Sequence, residues 1–387
     1  MQLAYTPQQQ AFRAEVRAWL AANLPPAPLL TLECEEGYHQ HVGWERQLAS
    51  GNWGMVTWPE AYGGRGLDLI EWLIFEEEYW GAGAPLRVNQ NGIFLLGPTI
   101  MEYGTPEQKE RFLTPMAAGE KIWAQAWSEP GAGSDMAAIK TTAYRDGDHY
   151  VINGQKTWSS RASFADWGFG LFRTQEGSQR HKGLSFILFD LDTPGVTRRP
   201  IRQLHGHPGF AELFFDDVRV PVENRLAGEG EGWNVAMATA GFERGLMLRS
   251  PGRFQAAARR LVELLRQHEH AAAPSAREAV ARAWMDTQAY AYNTYAVAAK
   301  IMAGGKIGAE ASLNKIFWSE LDRTMHRTAM QLLGAAAELR HCADGSINEW
   351  LEGYMFSLSG PIYAGSNEIQ RNITAERLLG LPRVGAG

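Results

Sequence analysis

The hydrophobic period changes twice along the chain, and those two changes limit the fold more than any other feature. The opening third is helical. Thr6 stands where a cap belongs, Pro7 at the first helical position, and Gln9 completes a capping box. Phe12, Val16, Trp19 and Leu20 then recur at helical spacing until Pro25 and Pro26 stop the run. The pattern predicts a second helix over 70–80, and Thr105, Pro106 and Gln108 repeat the capping signal before another. From Lys121 short runs of β-formers take over, at 122–127, 150–153, 184–189 and 212–220. Asp146-Gly147, Asn153-Gly154 and Pro194-Gly195 punctuate them as expected turns. Pro221 and the glycine-rich 228–232 mark the exit. From Trp233 onward Ala, Leu, Arg and Glu restore the helical character, with an expected turn at 271–274 between two long helices. The expected architecture is α+β and multidomain: a helical domain over 1–120, a β domain over 121–228, and a helical domain over 229–387.

Composition narrows the function classes. A net charge of -6 over 387 residues, with no basic run, gives no footprint for nucleic acid. Two cysteines, Cys34 and Cys342, are too few and too far apart for a disulfide framework or a zinc site, and they suit a reducing, cytoplasmic compartment. Gln, Glu and Arg near the start stand where a signal peptide needs an apolar run. No stretch of about 18 apolar residues exists, so no membrane span is expected. Fourteen tryptophans leave two readings open, core filling or stacking on a flat ligand.

Several motifs carry little. Gly304-Gly305-Lys306 lacks the upstream Gly and following hydroxyl residue of a phosphate loop. The glycines at 228–232 are expected to lack the strand-and-helix context of a dinucleotide fingerprint. His39/His41, His205/His207 and His268/His270 are pairs without a third ligand, so surface or loop histidines are the expectation. The segment Ser128-Glu129-Pro130-Gly131-Ala132-Gly133-Ser134-Asp135 is different. It follows a β-run and packs glycines, a proline, hydroxyls and carboxylates into one loop, which can bring backbone N–H groups against a polar ring edge or phosphate. On residue types alone an ordinary β-turn is equally open.

That segment resembles the first signature of the acyl-CoA dehydrogenase family. The likeness continues through Gly154-Gln155-Lys156-Thr157-Trp158-Ser159-Ser160, through 214–221, and through Ile362-Tyr363-Ala364-Gly365-Ser366-Asn367-Glu368 to Asn372, in the family's order and over nearly the whole chain. The resemblance implies a helical domain, a β-barrel-like domain and a four-helix-bundle domain, and FAD as cofactor. It implies that Ala126, Ser128, Gly133, Ser134, Trp158, Ser159, Ser160, Gln331, Gly334, Ser366 and Glu368 contribute to the FAD site. Ser128 would meet the flavin edge, Trp158 would pack beside the ring system and Ser160 would approach N5. Ser134 would lie between the flavin phosphates and the CoA part of the substrate. Gln331 and Gly334 would reach the FAD of a neighbouring subunit. Arg244, Ala364 and Gly365 would contact the acyl-CoA substrate.

Removing an α-proton from a thioester needs a carboxylate whose pKa is raised by an apolar pocket. In many family members that Glu precedes the Gly of the C-terminal motif, where this chain has Ala364. Either the chain is a non-catalytic subunit or the base comes from elsewhere. Glu243, expected early in a helix of the last domain, resembles the base of the isovaleryl- and long-chain-type members, which carry a small residue at the position of Ala364. Adjacent residues on a helix do not face each other, so pairing with Arg244 is a poor alternative use for Glu243.

The Arg-x-x-Phe-Gly segment that grips the FAD pyrophosphate across the family's dimer is absent from 261–283, where Arg277 or Arg282 is the candidate phosphate partner in its place. The chain thereby resembles the base-bearing subunit of bacterial enzymes, some acting on steroid side chains, that split the site between two different subunits. The resemblance implies β-oxidation of an acyl-CoA to the 2-enoyl-CoA, an electron-transfer flavoprotein as acceptor, and a homodimer, homotetramer or α2β2 heterotetramer with a paralogous subunit. An oxidase or monooxygenase on the same fold, and a half-site subunit, are the other readings.

Overall fold

A computed structural model describes residues 4–244, 249–268, 273–305, 307–342 and 346–382; the side chains of Glu243 and Arg244 fall outside that description. The helices of the first part are α1 (Pro7–Asn23), α2 (Glu35–Ser50), α3 (Leu69–Gly81), α4 (Gly97–Tyr103) and α5 (Pro106–Ala117). Strands follow: β1 (Trp123–Ala126), β2 (Thr142–Asp146), β3 (His149–Ser160), β4 (Trp167–Arg173), β5 (Leu184–Asp190), β6 (Val196–Ile201), β7 (Phe210–Pro221) and β8 (Arg225–Leu226). The chain then returns to helix with α6 (Gly232–Arg244), α7 (Pro251–Gln267), α8 (Pro274–Met302), α9 (Ala311–Leu333), α10 (Glu349–Ser357) and α11 (Asn367–Arg377). The order α, β, α expected from the hydrophobic period is the order found.

Both capping boxes form. Thr6 Oγ1 accepts the Gln9 N–H at 3.2 Å and Gln9 Oε1 accepts the Thr6 N–H at 3.1 Å. Thr105 and Gln108 exchange the same pair at 3.3 and 2.9 Å. The helix expected over 70–80 is α3, capped by Asp68, which accepts the N–H groups of Ile70 and Glu71. α2 carries no capping signal in the sequence, and its N-cap Cys34 makes no side-chain capping bond. β2, β4 and β6 stand outside the β runs expected from the sequence. Gly168 and Gly170 break the β pattern of β4. They are there because β4 lies close to its neighbours: a Cβ at Gly168 would stand 2.5 Å from the Phe189 ring. Pro200 hides β6, an edge strand where a missing N–H does no harm. Asn153-Gly154 is not a turn: both residues lie inside β3, at a bulge where the register with β7 shifts.

By contact density the chain forms two units. One comprises Pro25–Gly66 and Pro85–Glu243. Its sheet runs β6-β7-β3-β1-β4-β5-β8, with β2 bridging β3 and β4, so that β3 and β4 are spanned by β1 at one end and β2 at the other. Phe172, Phe189 and Phe215 meet edge-on at 5.3–5.7 Å in its core. The other unit comprises Met1–Leu24, Leu67–Ala84 and Arg244–Gly387. In it α7, α8 and α9 pack on one another, and α10 and α11 pack on α9. Phe254, Leu261, Tyr290, Trp318, Leu321 and Met325 form its core. Among the described residues no helix is long and apolar enough to cross a membrane.

Half of the fourteen tryptophans fill cores. Trp44, Trp53, Trp58, Trp72, Trp123, Trp127 and Trp318 are all buried, whereas Trp158 is 59% exposed. The expectation of surface or loop histidines fails at His41, while His205 lies in the loop between β6 and β7. His41 is buried on α2 between the carbonyls of Leu86 and Leu30, and the His205 ring is nearly buried against Glu33, with Nε2 3.1 Å from its carboxylate. His270 and Lys306 lie outside the described residues. The glycines at 228–232 do have a strand before them and a helix after, but β8 is two residues long and antiparallel to β5, so no βαβ unit results. α7 ends and α8 begins on either side of the turn expected at 271–274, of which 271 and 272 are outside the description.

Candidate functional site

In the sheet unit, β1 delivers the chain into the 128–135 loop and β3 runs alongside. The two are joined where the Thr157 N–H donates to the Ser128 carbonyl at 2.8 Å. Glu129 and Ala132 exchange N–H and C=O at 3.0 Å in both directions, which sets the turn. Beyond it the loop is open. Gly133 and Ser134 are exposed, and a Cβ at Gly131 or Gly133 would meet nothing within 4 Å. Asp135 is held by both terminal nitrogens of Arg180, at 2.9 and 3.1 Å.

The neck of this loop is tied by a buried ion pair. Lys156 Nζ, with no solvent exposure, donates to Glu129 Oε1 at 2.8 Å, to the Leu171 carbonyl at 2.6 Å and to the Trp127 carbonyl at 3.4 Å. The Glu129 carboxylate also accepts the N–H groups of Lys140 at 2.6 Å and Thr141 at 3.0 Å. Burial pushes the Glu129 carboxyl up, but the Lys156 charge and these hydrogen bonds outweigh it and hold it below the usual carboxylate range. Burial pulls Lys156 down from its ordinary value, against the Glu129 charge. With every ammonium proton matched to an acceptor, the pair stands as ions. Neither residue was singled out in the sequence, although both lie inside the matched stretches.

On β3 the strand bulges between Lys156 and Ser159, and Trp158 takes φ 56°, a left-handed conformation that bulky residues seldom adopt. The bulge turns the Trp158 ring outward, edge-on to Phe210 at 6.1 Å. Ser159 is fully buried, and among the described residues its Oγ has no hydrogen-bond partner. The Ser160 carbonyl accepts Asn91 Nδ2 at 3.4 Å, just before a π-helical turn at Gly92–Leu96. Ala126 is buried at the end of β1. A cleft of about 480 Å³ opens beside the loop, lined among others by Pro130, Gly131, Lys140 and Gln155.

Helix α6 belongs to the same unit up to Glu243. Its start lies against β5: a Cβ at Gly232 would stand 2.4 Å from the Ser185 carbonyl carbon and 2.5 Å from the Phe186 nitrogen. Val235, Ala236, Thr239 and Ala240 form its buried face, and Thr239 Oγ1 lies 2.9 Å from Thr99 Oγ1. Position 243 follows Thr239 in the i, i+4 register. It is near the end of the described helix rather than early in one, so the sequence expectation placed it too soon. The side chains of Glu243 and Arg244 lie outside the described residues.

In the helical unit the remaining candidates fall at two places. Gln331 is exposed in the last turn of α9, and Gly334 ends that helix at φ 56° with nothing near its Cβ position. Ala364 and Gly365 take φ 56° and 78° in the turn before α11. Ser366 caps α11 by accepting the Ile369 N–H at 3.3 Å, and Glu368 lies exposed in the first turn, its carboxyl lowered by its own backbone N–H. The turn is anchored by Asn367, whose place in the matched stretch 362–372 gives no sign of that role. Its Oδ1 accepts Lys315 Nζ at 2.8 Å and Ser319 Oγ at 3.1 Å, its Nδ2 donates to Glu320 at 3.0 Å, and its N–H donates to the Pro361 carbonyl at 2.8 Å. Lys315 and Asn367 are each 1% exposed. Tyr363 stacks obliquely on Trp318 at 5.9 Å, with the Arg249 guanidinium over both rings.

An exposed indole and glycines open to close approach make a surface suited to a flat, hydrogen-bonding cofactor. Comparison with known proteins identifies the class. Models of the acyl-CoA dehydrogenase N-terminal, middle and C-terminal domains match residues 6–120, 124–218 and 230–379. The chain belongs to the acyl-CoA dehydrogenase family, whose members are FAD-dependent oxidoreductases. It is 43% identical to "Acyl-CoA dehydrogenase IpdE1" of Mycobacterium tuberculosis, over 98% of this chain and 99% of that one. The structure described as "Tcur3481-Tcur3483 steroid ACAD" superposes with a TM-score of 0.87 at 29% identity, covering 99% of this chain and all 100% of its own. The ChsE4-ChsE5 complex from Mycobacterium tuberculosis gives 0.82 at 32% identity, with coverage of 99% and 100%. The fold expected from the resemblance is thus the fold of the family.

Proposed function

We propose that this chain catalyses α,β-dehydrogenation of an acyl-CoA thioester to the 2-enoyl-CoA, with Glu243 taking the α-proton. FAD, when bound, supplies the acceptor for the β-hydride. Two features of the chain support the reading: Ala364, which cannot accept a proton, stands where many family members carry the base, and position 243 on α6 follows the buried Thr239 in the i, i+4 register. A base for an α-proton must be a carboxylate whose pKa an apolar pocket raises toward neutrality. The Ala364 N–H, in a left-handed turn fixed by Asn367, polarises the thioester carbonyl as enolate charge grows. Ser128, Ser159, Ser160 and the exposed Trp158 hold and orient the flavin, with Ala126 at the end of β1 contributing to the same site. Gly133 and Ser134 approach its phosphates, and Ser366 and Glu368 lie near its ring. Ser134, Arg244 and Gly365 position the CoA thioester.

We further infer that the complete FAD site needs a paralogous subunit, in an α2β2 assembly. The loss of the Arg-x-x-Phe-Gly grip from 261–283 supports this, as do the exposed Gln331 and Gly334. Two structural relatives named above are described as paired chains, and one as acting on steroids, which favours a bulky, ring-bearing acyl group. The domains 1–120, 121–228 and 229–387 are the working blocks. The enzyme acts in the cytoplasm and passes electrons to an electron-transfer flavoprotein. The test is purification alone and with the paralogous subunit, followed by the visible flavin band and turnover of a panel of acyl-CoAs with an artificial acceptor. Flavin and turnover in the pair, and little in the chain alone, is the expected result. Flavin in the pair with no acyl-CoA oxidised would sink the dehydrogenase reading, and rapid oxygen consumption would favour an oxidase.

A further inference from the structure

We propose that the buried Glu129–Lys156 pair is a positioning device: it fixes the neck of the 128–135 loop and the β3 bulge relative to each other, and so sets how tightly the flavin is held. The inference rests on the flavin reading above. Its geometry is specific. Glu129 directly follows Ser128, and Lys156 stands two residues before Trp158, so one ion pair links the two stretches assigned to the flavin edge. The same carboxylate gathers the N–H groups of Lys140 and Thr141, 11 and 12 residues further on, which closes the loop into a ring. Lys156 in turn ties that closure to β4 through the Leu171 carbonyl.

Beyond the Glu129–Ala132 backbone bonds, the Thr157–Ser128 bond and the buried Ala132, the exposed tip of the loop has little to hold it. Pro130, Gly131, Gly133, Ser134 and Asp135 are exposed and bury almost no apolar surface. The Arg180–Asp135 bridge is more than half exposed at both ends, the kind of ion pair that contributes little. An all-apolar replacement could fill the volume under the neck, but it would offer no acceptor to the two backbone N–H groups. The ion pair therefore does what packing cannot. It makes an exposed glycine-rich loop keep one shape before a ligand arrives.

The Glu129→Gln/Lys156→Met double variant separates positioning from stability, because it leaves no buried charge unpaired. The chain is prepared with its paralogous subunit, stripped of flavin and titrated with FAD. Amide hydrogen exchange of 130–135 is read in the flavin-free protein. The thermal midpoint of the flavin-free variant should lie close to wild type. Its FAD dissociation constant should rise about tenfold or more, and exchange in the loop should speed by a similar factor. Wild-type FAD affinity and loop protection in the double variant would overturn the proposal and leave the pair as core filling. If the double variant does not fold, Glu129→Asp keeps the charge and withdraws the carboxylate by one methylene. It should then show the same two changes at smaller size, and wild-type values in both would again overturn the idea. Should wild type itself take up no FAD, the flavin reading fails, while the exchange data still decide the loop claim.

Discussion

Substituting Asn367 by Ala removes the anchor of the turn that carries Ala364, and the size of the effect follows from its contacts. The side chain is 1% exposed. It would lose an acceptor for the buried Lys315 ammonium at 2.8 Å, worth about 1.5–3 kcal/mol as a hydrogen bond to a charged group. It would also lose the Ser319 bond, at about 0.5–1.5 kcal/mol, and the bond to the Glu320 carboxylate, at about 1.5–3 kcal/mol. The sum is a loss of about 3.5–7.5 kcal/mol, large against a total stability of about 5–15 kcal/mol. The left-handed Ala364, a conformation that disfavours a Cβ by about 1–2 kcal/mol, would no longer be held in place by its surroundings. Urea unfolding of wild type and variant measures the difference, and turnover reports the turn. A stability loss below about 1 kcal/mol, with turnover unchanged, would refute the assignment of Asn367 as the anchor.

Three other outcomes follow from the structure. Gly232→Ala forces a Cβ to 2.4 Å from the β5 backbone; a loss of about 1–3 kcal/mol is expected, with turnover falling about tenfold or more because α6 carries Glu243. Unfolding curves and steady-state rates read both. Trp158→Ala should change the stability of the flavin-free protein by no more than about 0.5 kcal/mol, since the ring is 59% exposed, yet weaken FAD binding about tenfold in a titration. Burial, followed by the hydrogen bond and charge of Asp68, pushes the Glu71 carboxyl up to about 7 from 4.5. The folded state then binds the proton more tightly than the unfolded chain, so this contribution is full below pH 4.5 and is lost as pH rises to about 7. Glu71→Gln should flatten that part of a plot of thermal midpoint against pH.

Elements with strong local signals were legible, and those set by neighbours were not. The Thr6 and Thr105 capping boxes announce α1 and α5 because the signal lies within four residues. α2 has no such signal, and β4 carries glycines whose reason is the Phe189 ring in the next strand. The same division runs through the site. Ser128, Trp158 and Ala364 stand out because they lie in compact matched stretches. Lys156 and Lys315 do not, because a buried lysine looks like a surface one until its acceptors, Glu129 and Asn367, come within 2.8 Å through the fold. Asn153-Gly154 has the composition of a turn, but pairing with β7 turns it into a bulge. The reverse holds for Trp158, where sequence left core packing and stacking both open and exposure favours stacking.

Glu243→Gln offers the most direct test of the account. The flavin-loaded complex is mixed anaerobically with the best acyl-CoA of the panel, and loss of the visible flavin band is followed in a single turnover. The variant should hold wild-type amounts of FAD and bind substrate, yet reduce the flavin at least about 100-fold more slowly, since its amide cannot accept the α-proton. Reduction at the wild-type rate would contradict the account and move the base elsewhere.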